Sequence, residues 1–285
     1  MPRREVPYVM RLRIEMQANV HNLGSAKIRD GRLTWHLYTD MDNQYVDAID
    51  VFPPARVFEK AERNMVAVIK VPELSPGESF SPTVILRMDT TTRDWMIEPR
   101  RVPDQVKKRI RGTFSSMQKY WEIDNPAVQE LSQRIAESSK SDDLYARIAA
   151  KAVRERVKLK THLEERRGAA RAAIEKEGDC DEHADLFIAL TRAVGIPSRR
   201  VTGHIYRGGP EPEPHAWCEV FLDSVGWVPV DPALDRFGML TEQYFSRIRE
   251  GLVSERPSIQ LKYTRVHSES VAIEEHVRMS VFSNG

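Results

Sequence analysis

The chain has 285 residues, enough for a large core and for more than one domain. Its 43 Lys and Arg against 42 Asp and Glu leave no global charge to draw it to nucleic acid or to an anionic membrane. Hydrophobic residues make up 41%, an ordinary globular share, and no apolar run approaches the roughly 20 residues of a membrane-spanning helix.

The opening stretch MPRREVPY is charged and lacks the apolar segment of a signal peptide. Two cysteines are too few for a disulfide framework. A reducing, cytoplasmic setting is the expectation.

Residues 9–20 alternate in polarity. Met10, Leu12, Ile14, Met16, Ala18 and Val20 share one side, and Arg11, Arg13, Glu15, Gln17 and Asn19 the other. That is the pattern of a half-buried antiparallel strand. Asn22-Leu-Gly24 reads as a turn, and Leu33, Trp35 and Leu37 alternate again. Met65–Val71 predicts a strand, Ser75-Pro-Gly-Glu78 a turn, and Val84, Leu86 and Met88 another strand. No helical period of useful length occurs in residues 1–98, which predict an antiparallel β-sandwich for packing or recognition.

A basic linker is expected at 99–124, opened by the strand-breaking Pro99 and Pro103. Arg100, Arg101, Lys107, Lys108, Arg109, Arg111 and Lys119 stand there against Asp104 alone. Such a run can grip phosphates. No aromatic platform interleaves it, since Phe114, Tyr120 and Trp121 are unevenly spaced. A solvated face or docking on acidic neighbours is the better reading, and nucleic acid is not an expected partner.

Helices follow. Asn125-Pro126 is a helix start with Pro at the first position, and Val128, Leu131, Ile135 and Ser138 trace its stripe. Asp142 or Asp143 can cap a second helix with Leu144, Ile148, Val153 and Val157 inward. A third, Ala-rich helix follows Gly168 and ends near Glu177. Strands then return, so 125–285 is expected to form a single α+β domain.

The chemistry concentrates at 178–233. Asp179 is placed as a helix N-cap with Glu182 three residues on, a capping box. Cys180 then takes the first helical position, and Gly195 with Pro197 ends the helix. Unpaired N–H groups and the helix dipole favour a thiolate there. Asp181 and Glu182 oppose it, so a base is needed. His215 opens the strand 215–222, Asp223-Ser-Val-Gly226 turns it, and Trp227–Val230 returns to Asp231. If Phe221 pairs with Trp227, Asp231 falls beside His215. If Leu222 pairs with Trp227, Asp231 flips to the far face. In the first register Cys180, His215 and Asp231 supply nucleophile, base and orienter.

Zinc is the competing use of these residues. Cys180 and His183 share a helix face. His215 and Cys218 sit on opposite faces of a regular strand, so no metal is expected. Cys218 reads as core, and His183 and His204 as rim or supporting residues.

Residues 168–234 resemble the transglutaminase-like superfamily, relatives of papain-type thiol hydrolases. The likeness rests on Gly-Ala at 168–169, Gly-Asp-Cys at 178–180, Arg-Ala-x-Gly-Ile-Pro-x-Arg at 192–199, Val-x-Gly at 201–203, His-Ala-Trp at 215–217 and Gly-Trp-Val-x-Val-Asp-Pro at 226–232. More loosely, Asp42-x-Gln44 and Pro76-Gly-Glu78 resemble the sandwich that precedes this core in some microbial members. The resemblance implies a papain/transglutaminase-like core with helices packed on an antiparallel sheet. It also implies Cys180 as nucleophile, His215 as base, Asp231 as orienter, and the register that keeps Asp231 beside His215.

The expected chemistry is acyl transfer through a Cys180 thioester on a peptide or protein substrate, without cofactor or membrane. The acceptor is water in a cysteine peptidase or amidase, or an amine in a cross-linking transglutaminase. A catalytically silent protein-binding module is the alternative from another class. The Cys180 amide is one oxyanion donor. The resemblance implies a second, from an upstream aromatic or amide side chain, which the sequence does not assign to a position.

Overall fold

A computed structural model describes residues 9–97, 102–160, 165–264 and 271–282. The N-terminal strands are β1 (Val9–Asn22), β2 (Arg29–His36), β3 (Gln44–Phe52), β4 (Arg56–Glu59), β5 (Met65–Lys70), β6 (Ser79–Phe80), β7 (Thr83–Thr91) and β8 (Arg93–Asp94). Next come α1 (Asp104–Thr113), α2 (Pro126–Glu137), α3 (Asp142–Arg156), β9 (Lys158–Leu159), α4 (Ala169–Glu175), β10 (Glu177–Gly178) and α5 (Cys180–Ala193). The remaining strands are β11 (Ser198–Ile205), β12 (Glu213–Leu222), β13 (Gly226–Asp231), β14 (Arg236–Phe237), β15 (Met239–Leu240), β16 (Tyr244–Glu250), β17 (Ile259–Thr264) and β18 (Val271–Val281). Among the described residues no helix is long and apolar enough to cross a membrane.

The sandwich forms as the alternation predicts. One sheet runs β18-β1-β7-β3 with β6 beside β1, and the other runs β17-β2-β5-β4. Leu12, Ile14, Met16, Ala18 and Val20 of β1 are fully buried and pack with Leu33 and Trp35 of β2 and Leu86 of β7. Burying each large side chain of this kind contributes about 1.5–3 kcal/mol.

The sandwich also draws on the far end of the chain, which corrects the expected 125–285 domain. β18 pairs antiparallel with β1 from Leu12↔Val281 to Asn22↔Val271, and β17 pairs with β2. Both strands alternate as edge strands do, and their distant partners leave no mark in the local sequence.

The 99–124 stretch is more than a linker. Pro99, Arg100 and Arg101 lie outside the described residues. Beyond them α1 forms, and its Arg111 Nη2 contacts Asp142 at 2.5 Å and Asp223 at 3.0 Å. Part of the basic run therefore docks on acidic neighbours. Trp121 is fully buried, its Nε1 donating to Asp185 at 2.9 Å.

The second unit is α+β. Its sheet runs β14-β13-β12-β11-β16, antiparallel throughout. Helix α5 lies against β11 and β12, with α2, α3 and α4 packed around it. Leu186, Phe187, Ile188, Ala189 and Leu190 are all fully buried, so α5 is enclosed on every side. The caps explain where the helices begin. Asn125 Oδ1 accepts from Ala127 N at 3.0 Å ahead of Pro126. For α3 the cap is Ser141, accepting from Leu144 N at 3.2 Å; Asp142 and Asp143 fall in the first turn instead. Leu144 is correspondingly exposed, and Tyr145, Ala146, Ala149 and Val153 form the inward face.

Candidate active site

The start of α5 is built tightly. Asp179 accepts from Asp181 N at 2.8 Å, and Glu182 Oε2 accepts from Asp179 N at 3.0 Å. Glu182 Oε1 also takes Arg167 N at 2.7 Å. Gly178 makes room for this carboxylate, since a Cβ there would lie 2.3 Å from Glu182 Cβ. Cys180 therefore stands on a first turn whose donors and acceptors are fixed, partly buried.

The surroundings of the thiol work against a thiolate. Burial pushes its pKa up to about 12, helped by the charges of Asp181 and Asp179 and opposed by the Ala216 amide and Arg200. A helix N-terminus favours an anion by only about 0.3–1 kcal/mol, less than one pKa unit. Desolvation outweighs it.

The β12–β13 register pairs Phe221 with Trp227 and Cys218 with Val230. That choice places Asp231 on the His215 side. His215 Nε2 meets Asp231 Oδ2 at 2.7 Å. Asp231 is fully buried. The Tyr244 hydroxyl donates to Oδ2 at 2.8 Å and Leu234 N to Oδ1 at 3.1 Å. With Asp231 Oδ2 accepting from Nε2–H, Nδ1 is left as the basic nitrogen. Trp217 stacks on the His215 ring, centroids 6.1 Å apart, and meets Tyr244 edge-on at 5.4 Å.

Cys180 and His215 line one cleft of about 560 Å³ with Asp179, Arg200, Arg207 and Glu213. Gly203 lines it too, opposite His215. A Cβ on Gly203 would lie 1.9 Å from Phe245 O across to β16, where the strand register shifts. In the cleft wall Arg200 joins Asp181 to Glu250, the latter at 2.5 Å. Burial works against the Arg200 charge, but Asp181 and Glu250 outweigh it and hold its pKa above the ordinary value. Arg166 binds Asp185 at 2.7 Å beside this pair.

The ligand pairs considered for zinc are engaged otherwise. His183 Nδ1 lies 2.7 Å from Asp179 O and Nε2 3.0 Å from Val157 O, so the ring ties α5 to the end of α3. Cys218 is fully buried, its Sγ donating to Ala184 O at 3.4 Å. His204 is not at the rim; its Nδ1 pairs with the Tyr38 hydroxyl at 2.6 Å, next to the sandwich. Asp179, Cys180 and Asp181 put ligand atoms within 4.8 Å of one another. The Asp179 carboxylate is taken by the Asp181 amide and that of Asp181 by Arg200.

Two supporting residues escape a sequence reading. Tyr244 carries no local signal, since its partner lies 13 residues back on another strand. Arg200 leaves one clue, a charge placed among buried residues of β11.

Residues 129–232 match the family model of the transglutaminase-like superfamily. Residues 129–232, the helical and sheet core, are therefore similar to that superfamily, one of thiol-dependent acyl transfer. A protein from Cytophaga hutchinsonii, provisionally named a cysteine protease, shares the fold at a TM-score of 0.66 and 17% identity, over 98% of this chain and 92% of its own. The periplasmic domain of TgpA from Pseudomonas aeruginosa aligns at 0.40 and 14% identity, over 80% and 88% of the two chains. A provisionally named protease from Parabacteroides distasonis aligns at 0.33 and 11% identity, over 83% and 47%. No curated protein matches the chain.

Proposed function

We propose that the chain is a cysteine peptidase or amidase, cleaving a peptide or carboxamide bond in a peptide or protein through a Cys180 thioester. The observation that carries this is the His215 Nε2–Asp231 Oδ2 bond of 2.7 Å, with His215 and Cys180 on one cleft. His215 Nδ1 removes the Cys180 proton as Sγ attacks the carbonyl, and Asp231 holds the tautomer and balances the imidazolium. The Cys180 amide, at the first helical residue, stabilises the oxyanion. The tetrahedral species collapses to a thioester as the imidazolium gives its proton to the leaving amine. Water, deprotonated by His215, then releases the acid and restores the thiol. No cofactor enters these steps.

Water is favoured as acceptor because charged Arg207 and Glu213, half exposed at the cleft, keep it wet. Two free cysteines suit a reducing, cytoplasmic setting within the same proposal. Two other readings stay in play. An amine acceptor would make the protein a cross-linking transglutaminase. The raised Cys180 pKa favours a silent, protein-binding core. Peptide-library cleavage and incorporation of a fluorescent primary amine into casein, run on wild type, Cys180→Ala and His215→Ala, separate the three. Cleavage lost in both variants supports the proposal. Amine incorporation assigns cross-linking, and inactivity in both assays assigns the silent core.

A further inference from the structure

We infer that a second cleft, between α1, the sandwich loops and the sheet, is a binding site for a carboxylate borne on a flat apolar group. The cleft measures about 390 Å³ and shares no described lining residue with that of Cys180. Trp95, Phe221 and Trp227 wall it, with Ile110 of α1 at its side and Arg199 and Arg249 among its polar lining.

Arg249 carries the inference. Its residue is 6% exposed, and its backbone is pinned by Asn64, which accepts from Arg249 N at 2.8 Å and donates to Arg249 O at 2.9 Å. The guanidinium, by contrast, is poorly served. Among the described residues Nε has no hydrogen-bond partner, and its ion pair with Glu219 Oε2 is long, at 3.6 Å. That same oxygen already holds Arg199 Nε at 2.7 Å. Nη1 reaches only the Glu62 carbonyl at 3.3 Å, and Nη2 faces the thioether of Met41, a weak acceptor. Burial accordingly lowers the Arg249 pKa to about 10, with Glu219 giving incomplete relief.

A buried charge without full pairing is costly. Two of the three acidic groups on the cleft are committed, and the third, Glu62, keeps one oxygen, Oε1, without a partner among the described residues. Glu219 is held by Arg199, Asp42 accepts from Trp95 Nε1 at 3.2 Å, and Glu62 lies 3.4 Å from Arg256 with its pKa raised by burial. An incoming carboxylate would displace the flexible Met41 side chain and satisfy Arg249. The aromatic walls fix the shape of the rest. Arg199 lies 4.1 Å over the Trp227 ring and Phe221 meets it edge-on at 5.5 Å, so a cationic and aromatic lining adjoins Arg249, suited to a flat apolar group. The volume lies at the small end of ordinary ligand pockets. This holds whether or not Cys180 is catalytic.

Such a carboxylate can belong to a small molecule or to the end of a peptide. Calorimetry on the full chain compares 3-phenylpropionate with 3-phenylpropanamide, and a tripeptide ending in phenylalanine with its C-terminal amide. Saturable binding of an acid at or below ~1 mM, at least tenfold tighter than its amide, is expected. A tighter free acid assigns a small molecule, and a tighter tripeptide assigns a chain end. Arg249→Met should abolish the preference for acid over amide. Ile110→Glu, on the surface helix, should weaken the acids and spare the amides. Cys180→Ala should bind as wild type does. Equal binding of acid and amide overturns the proposal, as does an acid preference that survives Arg249→Met or is lost in Cys180→Ala, or binding that fails to saturate for both acids. The acid–amide contrast is read on wild type, so the test stands even if Arg249→Met fails to fold.

Discussion

Tyr244 and His215 converge on one oxygen of Asp231, the phenol at 2.8 Å and the imidazole Nε2 at 2.7 Å. The phenol pKa is raised, by burial first and by the Asp231 charge second, so Tyr244 stays a donor. Two donors on one carboxylate oxygen divide its negative charge between them. Tyr244 therefore positions Asp231 and moderates its pull on the histidine.

Tyr244→Phe removes one hydrogen bond to a buried charged acceptor, a contribution of about 1.5–3 kcal/mol. Asp231 then draws more strongly on His215. The pH at which Cys180 alkylation becomes base-assisted should rise, with the rate at neutral pH falling about tenfold or more. Iodoacetamide labelling against pH, followed by mass spectrometry of the Cys180 peptide, checks this. A variant that loses stability while its pH profile stays fixed shows a merely structural tyrosine.

The Cys180 thiol provides the second prediction. Its pKa is pushed up to about 12, so wild-type alkylation should climb steadily from pH 7 to pH 10 without an acidic plateau. The thiolate fraction of an ordinary thiol near pKa 8.5 levels off within that range. Cys218, fully buried, should remain unlabelled until the chain unfolds. A plateau below pH 7 that vanishes in His215→Ala would reveal a preformed thiolate–imidazolium pair and overturn the neutral resting state.

What the sequence carries and what it conceals divide along the reach of each interaction. The capping box around Cys180 involves residues two or three apart, so Asp179 and Glu182 announce it. The sandwich strands announce themselves by alternation in β1, β2 and β7. The β12–β13 register is different, because the 223–226 turn accepts either pairing and only the packed sheet selects Phe221 with Trp227. The return of β17 and β18 to the sandwich spans most of the chain. The thiolate expectation at Cys180 misjudged depth, since the helix dipole is visible in a sequence and desolvation is not.

Arg200 provides the third prediction. It bridges Asp181 and Glu250, with a side chain 10% exposed. Removing one partner of a buried ionic group strands the others, at a cost of about 3–5 kcal/mol. Arg200→Met should lower unfolding free energy by that order in urea titrations and displace Asp181 in the cleft wall. The double change Arg200→Met with Glu250→Gln should recover part of the loss, since fewer buried charges are left unpaired. If the single variant costs less than about 1 kcal/mol, as an exposed pair would, the network contributes little.

The fourth prediction concerns His204, 8% exposed and bonded to Tyr38 at 2.6 Å. Burial lowers its pKa from 6.5 to about 3, aided by the Arg247 charge. The unfolded chain takes up a proton as pH falls through 6.5, while the folded chain resists until near 3. Within that window the unfolded state binds more protons, so stability falls as the solution is acidified. The contribution present at neutral pH should therefore be lost progressively, on the order of 3 kcal/mol by pH 4. Urea midpoints for wild type should drop across this range, and those for His204→Gln, which cannot take the proton, should drop less. The neutral variant is expected to begin lower at pH 7 because its bond to Tyr38 is altered, so the slope against pH is the deciding quantity. Parallel slopes would place the acid sensitivity elsewhere and show that His204 can be protonated in the folded chain without disrupting its contact with the sandwich.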